Sequence, residues 1–134
     1  VCGIMAVTYI EKTVSEIMED DSAIAALVVA RIYPGNMPET ITLPLIVFHK
    51  IDAPEHHDID IAYPRFQFDC FADTLLGALA LAKAVKELWQ RYKGVWDKAK
   101  IKQGVYLGEN NLSVGKDQPY CIAVDIKIIY DKVN

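Results

Sequence analysis

"RFQFDCFADTLLGALALAKAVKELWQRY", residues 65–92, contains two periods in succession. In its first eight residues the alternation places Phe66, Phe68, Cys70 and Ala72 on one side of an extended chain and Arg65, Gln67, Asp69 and Phe71 on the other. From Leu75 the spacing becomes helical. Leu75, Leu79, Ala82, Val85, Trp89 and Tyr92 form a stripe widened by Ala78 and Leu88, while Lys83, Lys86, Glu87, Gln90 and Arg91 sit largely opposite. Asp73 or Thr74 can cap its start. Such a helix must bury its stripe against a sheet. The row of aromatics before it can be a platform for stacked bases or half of a core. The stripe favours the core, with Phe66 and Phe68 facing Leu79, Val85 and Trp89 and only Phe71 pointing outward.

Working outward, "LPLIVFHKI" (43–51) is rich in β-branched and aromatic residues behind a proline and predicts a strand. "DAPEHHDIDIAYP" (52–64) holds two prolines and several acids and predicts an extended loop or hairpin tips. Near the C-terminus, Ile122, Val124, Ile126, Ile128 and Tyr130 alternate with Asp125 and Lys127, the pattern of a strand with one buried face. Before it, "GENN" and "VGKDQP" carry turn-forming residues and predict a loop over 108–119. Near the N-terminus, Ile10, Val14, Ile17 and Met18 recur at helical spacing, with Thr8 and Glu11 forming a capping box. "MEDD" interrupts that helix, Ser22 caps a second short one, and "RIYP" leads into a short strand that Pro34, Gly35 and Pro38 end.

The order helix, helix, three strands, helix, two strands predicts an α+β fold. It comprises an antiparallel or mixed sheet of about four to five strands, with one long helix and a broken N-terminal helix packed on one face. A chain of 134 residues that is 52% hydrophobic and 24% charged has the size and composition of one folded domain, 1–134. Met5 is a candidate native start, residues 1–4 then being an appended remnant. The longest apolar runs, 23–30 and 75–82, fall far short of the roughly 18 residues a membrane span needs. Nothing in the first residues has the form of a secretory signal. Cys2, Cys70 and Cys121 match neither a disulfide framework nor a paired metal motif, which fits a reducing compartment. A net charge of −4 disfavours general nucleic-acid binding, which depends on Lys and Arg neutralising phosphates.

The chemistry-bearing residues do not assemble into a catalytic set. His56 and His57 beside Asp58 and Asp60 form the most metal-like cluster, yet neighbouring residues of an extended chain point to opposite sides and no helical or CxxC pair completes a ligand set. His49 with Cys70 would make a base and nucleophile, but Cys70 lies on the apolar face, where a thiolate is disfavoured. Asp69 and Asp125 stand mid-strand on polar faces without a working separation in evidence. No phosphate-binding glycine loop or nucleophile elbow occurs. The reading is no enzyme, no cofactor and no metal.

With these elements in place, the chain resembles one family. "DDSAIAALVVARIYPGNMPE" is similar to that family's acid-rich break, short helix and turn, and "LPLIVFHKI" to its proline-led strand. "RFQFDCFADTLLGALALAKAVKELW" and "YCIAVDIKIIY" are similar to its strand with long helix and its closing strand. These are the tail-completion proteins of tailed bacteriophages, the head-tail joining and tail-terminator proteins, and the similarity of pattern spans residues 8–131. The resemblance implies a non-enzymatic virion protein made in the bacterial host cytoplasm. It implies a ring, hexameric in this family, that caps the tail at the head-tail interface. The ring's partners are other copies of itself, the tail-tube protein and the head connector or adaptor protein. DNA passes through the ring without specific binding, and no membrane is involved. Loops of this length tend to be functional, so Glu55, His56, His57, Asp58 and Asp60 in the first loop are candidate docking residues. Glu109, Asn110, Asn111, Lys116 and Asp117 are the candidates in the second. The competing reading is a small RNA-binding module using Phe71 and the basic run 91–102, "RYKGVWDKAKIK".

Overall fold

Alternation along Arg65–Ala72 does produce a strand, here β4, flanked on both sides by antiparallel neighbours, so each of its alternating faces is set by two partners. A computed structural model describes residues 10–28, 31–54, 61–96, 99–115 and 118–131. The chain runs through α1 (Ile10–Asp20), α2 (Ser22–Val28), β1 (Ile32–Pro34), β2 (Leu45–Asp52), β3 (Ile61–Ala62) and β4. It continues through α3 (Leu75–Trp89), β5 (Gly94–Trp96), β6 (Ala99–Asn111) and β7 (Tyr120–Asp131). The strands form a sheet in the order β1-β2-β4-β7-β6-β5, with β3 paired to β7. β1 lies parallel to β2 and the other pairs are antiparallel, which makes the expected α+β sheet a mixed one. The short strand expected at "RIYP" is β1, and among the described residues seven strands replace the four or five expected because β3 and β5, of two and three residues, are too short to show a period in the sequence.

One face of this sheet carries the main core. Phe48, Phe66, Phe68, Cys70, Ile122, Val124, Ile126 and Ile128 meet residues of all three helices there. Phe48 and Phe68 stack at 5.5 Å between ring centroids, Phe68 stacks on Trp89 at 6.2 Å, and Trp89 tilts against Tyr92 at 5.2 Å. The aromatic row of β4 is therefore core, and Phe66 and Phe68 expose no surface.

The helices follow from their sequences with two corrections. In α1 the buried residues are Ile10, Thr13, Val14, Ile17 and Met18, which includes the whole expected stripe; the capping residue Thr8 lies outside the described residues. Asp21, not Ser22, caps α2: its carboxylate accepts the Ile24 N–H at 3.1 Å, because the break after "MED" leaves Asp21 one residue ahead of the first helical turn. In α3 the buried face is Ala78, Leu81, Ala82, Ala84, Val85 and Trp89, while Leu75, Leu76 and Leu79 are exposed. The expected stripe is thus rotated toward Leu81. The run 75–82 is apolar on every side, so its period carries little information. Close approach then selects the small residues: a Cβ on Gly77 would lie 3.2 Å from Ala72 Cβ.

Thr74 caps α3, its hydroxyl accepting the Gly77 N–H at 3.0 Å. Thr74→Ala is expected to cost about 1 kcal/mol by removing that acceptor. Urea unfolding of the two proteins measures it, and an unchanged midpoint would mean the cap is idle.

Candidate interaction surfaces

The face of the sheet away from the helices is where the polar alternate positions emerge. His49 pairs across with Gln67, Gln67 with Asp125, and Asp69 with Ala123, so these side chains share one face over β2, β4 and β7. Gln67 donates to Asp69 at 2.7 Å. Burial pushes the Asp69 carboxyl above its ordinary range, opposed by the Gln67 hydrogen bond and nearby His49 and reinforced by Asp125. Asp69 and Asp125 are diagonal neighbours, a relation in which the two backbone positions lie roughly 7–8 Å apart. Leu45, Val47, Cys121 and Ala123 are buried on this face too, outside the helix-side cluster. Among the described residues no group of three or more His, Cys, Asp or Glu is placed to hold a metal ion. His56, His57 and their acidic neighbours lie outside the described residues. No helix among the described residues is long and apolar enough to cross a membrane.

Both described cysteines are poor nucleophiles. Burial drives the Cys70 thiol well above its usual range, and it raises Cys121 to about 11, with Asp69 adding to the effect. The His49 and Cys70 pair is separated by the sheet itself, since His49 alternates with the buried Phe48 whereas Cys70 belongs to the core face.

The segment 108–119 is only partly the loop its composition suggests. Gly108–Asn111 continue β6, with Glu109, Asn110 and Asn111 opposite Val124, Ala123 and Ile122. The strand absorbs "GENN" through a register shift between Tyr106 and Gly108, where Gly108 takes φ 151°, a value that suits glycine. Glu109, Asn110 and Asn111 are exposed, and Glu109 accepts from the Tyr106 hydroxyl at 3.2 Å. Asn111 caps the turn by accepting the Ser113 N–H at 2.9 Å. Lys116 and Asp117 lie outside the described residues. The tip also presents Leu112, Val114 and Tyr120, exposed apolar side chains that are not among the residues expected from the sequence. The available signal was an apolar residue on either side of Ser113 in a stretch otherwise composed for turns.

The RNA platform does not come together. Phe71 is half-buried and pairs with Cys121 near the start of β7, whereas Lys100 pairs with Asp131 at its end. Ten residues of strand separate these rows by about 30 Å.

Two open grooves lie at the ends of the strand order. One, of about 540 Å³ between α1 and β1, is lined by Glu11, Lys12, Ser15, Glu16, Glu19 and Pro34. The other, of about 350 Å³ along β5 and β6, is lined by Lys93, Gly94, Val95, Lys100, Ile101 and Lys102. The first groove is not legible in the sequence, because it joins α1 to Pro34 across the fold, whereas the second lies within the basic run 91–102.

No protein-family model matches the chain, and no curated protein matches it in sequence. Solved structures do match. The chain is similar to one in the virion of a native gene transfer agent (GTA) particle, with 18% identity over 90% of this chain and 93% of that chain and a TM-score of 0.76. At that identity the correspondence is one of fold.

Proposed function

We propose that the protein is a structural component of a phage-like virion, a ring-forming subunit that completes the tail and joins it to the head connector. The observation that carries this reading is the shared fold, which extends over nine-tenths of this chain and of a chain in a gene transfer agent virion. The resemblance of nearly all of residues 8–131 to tail-completion proteins supports a place at the head-tail junction. The exposed end of the β6–β7 hairpin, with Glu109, Asn110 and Asn111 beside Leu112 and Val114, is the docking surface for a neighbouring ring or tube. The acidic segment 55–60 serves as a second contact. Net negative charge suits a channel through which DNA slides without adhering.

Disrupting the gene in the strain that makes the particles tests the role. Electron microscopy is expected to show filled heads separate from finished tails of normal length. Tails of uncontrolled length would assign the protein to tail termination instead, and intact particles would remove the virion reading.

A further inference from the structure

We infer that the two grooves are the two halves of one contact between copies of this chain, the α1–β1 groove of one protomer receiving the β5–β6 edge of the next. The inference rests on the ring reading above and identifies the surfaces that build the ring. A head-to-tail ring needs two different surfaces on each protomer that fit each other. Among the described residues the strand order supplies two different ends, β1 and β5, each a three-residue edge strand with one side unpaired by the sheet.

Charge makes these ends complementary. Among its described lining residues the groove at β1 has Glu11, Glu16 and Glu19 against one cation, Lys12. The groove at β5 is rimmed by Lys93, Lys100 and Lys102, with no acid among its described lining residues. The chain as a whole is acidic, yet it gathers Arg91, Lys93, Lys98, Lys100 and Lys102 into one short stretch, five of its 14 basic residues. Internal pairs use part of this charge: Glu11 bridges Lys50 at 3.3 Å and Lys102 bridges Asp131 at 3.7 Å. Lys93 and Lys100 have no ion pair among the described residues, and Glu19 accepts only a long hydrogen bond from Ser15, 3.4 Å. Val95, 68% exposed between the lysines, supplies an apolar contact for the partner's groove. Opposite fields at the two ends attract unlike ends of neighbouring protomers and repel like ends, which fixes the polarity of the ring.

Charge reversal separates this contact from other roles. Glu16→Lys with Glu19→Lys makes both ends positive; Lys93→Glu with Lys100→Glu makes both negative. Each pair, expressed in place of the wild-type gene, is expected to lower particle yield roughly a hundredfold or more, because like charges then meet at every contact. Expressed together the two variants are expected to restore yield, since alternating protomers again present opposite charges. The fourfold variant, carrying both reversals in one chain, is expected to restore it alone. Circular dichroism of each purified variant checks that these surface changes leave the fold intact. Full yield from either reversal alone, or failure of both the mixture and the fourfold variant, overturns the contact while leaving the virion reading in place. Loss confined to the lysine reversal, unrescued by its counterpart, also overturns it and points the lysines toward nucleic acid. Intact particles after gene disruption overturn the contact and the virion reading together.

Discussion

Replacing Trp89 with alanine is expected to cost about 3–5 kcal/mol. The indole is fully buried at the end of α3, stacked on Phe68 at 6.2 Å and tilted against Tyr92 at 5.2 Å, so its removal opens a void between helix and sheet. The neighbours cannot readily close it, because Phe68 is held by Phe48 and Phe66 at 5.5 and 6.3 Å. Its Nε1 finds no hydrogen-bond partner among the described residues, so the loss is one of packing and not of a polar contact. Trp89→Phe, which keeps a ring in the site, is therefore expected to cost less than Trp89→Ala. Equilibrium unfolding in urea reads both; a near-neutral alanine variant would mean that this face of α3 does not pack as described.

Gly104→Ala is expected to be as damaging, at about 3 kcal/mol or more, although it adds a single methyl group. A Cβ at this position would overlap the carbonyl oxygen of Trp89. That oxygen belongs to backbone, and the backbone there is fixed from both sides. Arg91, in the left-handed region at φ 64°, donates to Gly104 O at 2.9 Å, and Gly104 donates to Tyr92 O at 3.0 Å. The last turn of α3 thus lies directly on β6, and relief of the overlap would have to break this pair of bonds. Thermal unfolding should show a large fall in midpoint; an unchanged midpoint would show that helix and strand are farther apart than these bonds require.

Both expectations depend on a joint between α3 and β6 that the sequence does not display. Gly104 stands in a run read as an ordinary strand, and nothing local marks it as the point of closest approach. What was legible had a strong period and a single buried face. β4 and β7 were placed with their correct inward residues because alternation permits only one choice, and α1 because Ile10, Val14, Ile17 and Met18 leave little ambiguity. α3 was found as a helix but turned to the wrong side at Leu75 and Leu79, since "LLGALALA" offers apolar residues in every direction. Gly108 and the asparagines after it read as a turn by composition, yet pairing with β7 holds them in a strand. Tertiary pairing overrides local preference there.

The candidate surfaces were legible in proportion to their locality. Glu109, Asn110 and Asn111 were marked from one short stretch and are exposed near the end of a long hairpin. The apolar tip formed with Leu112, Val114 and Tyr120 went unnoticed because its residues are set apart by polar ones. The basic run 91–102 suggests by composition a platform with Phe71, from which strand order and register separate it. Its relation to Glu11, Glu16 and Glu19 appears only when the order β1-β2-β4-β7-β6-β5 places the two groups at the two ends of one sheet.

Cryo-electron microscopy of the particles produced by the strain carrying this gene tests the central claim most directly. The expected result is a closed ring at the junction of head and tail. Each subunit in its density would fit the helix-covered sheet described here, with α3 on one face and the β6–β7 hairpin directed at a neighbouring ring. Particles whose head, junction and tail are fully accounted for by other chains, with no density for this fold, would contradict it.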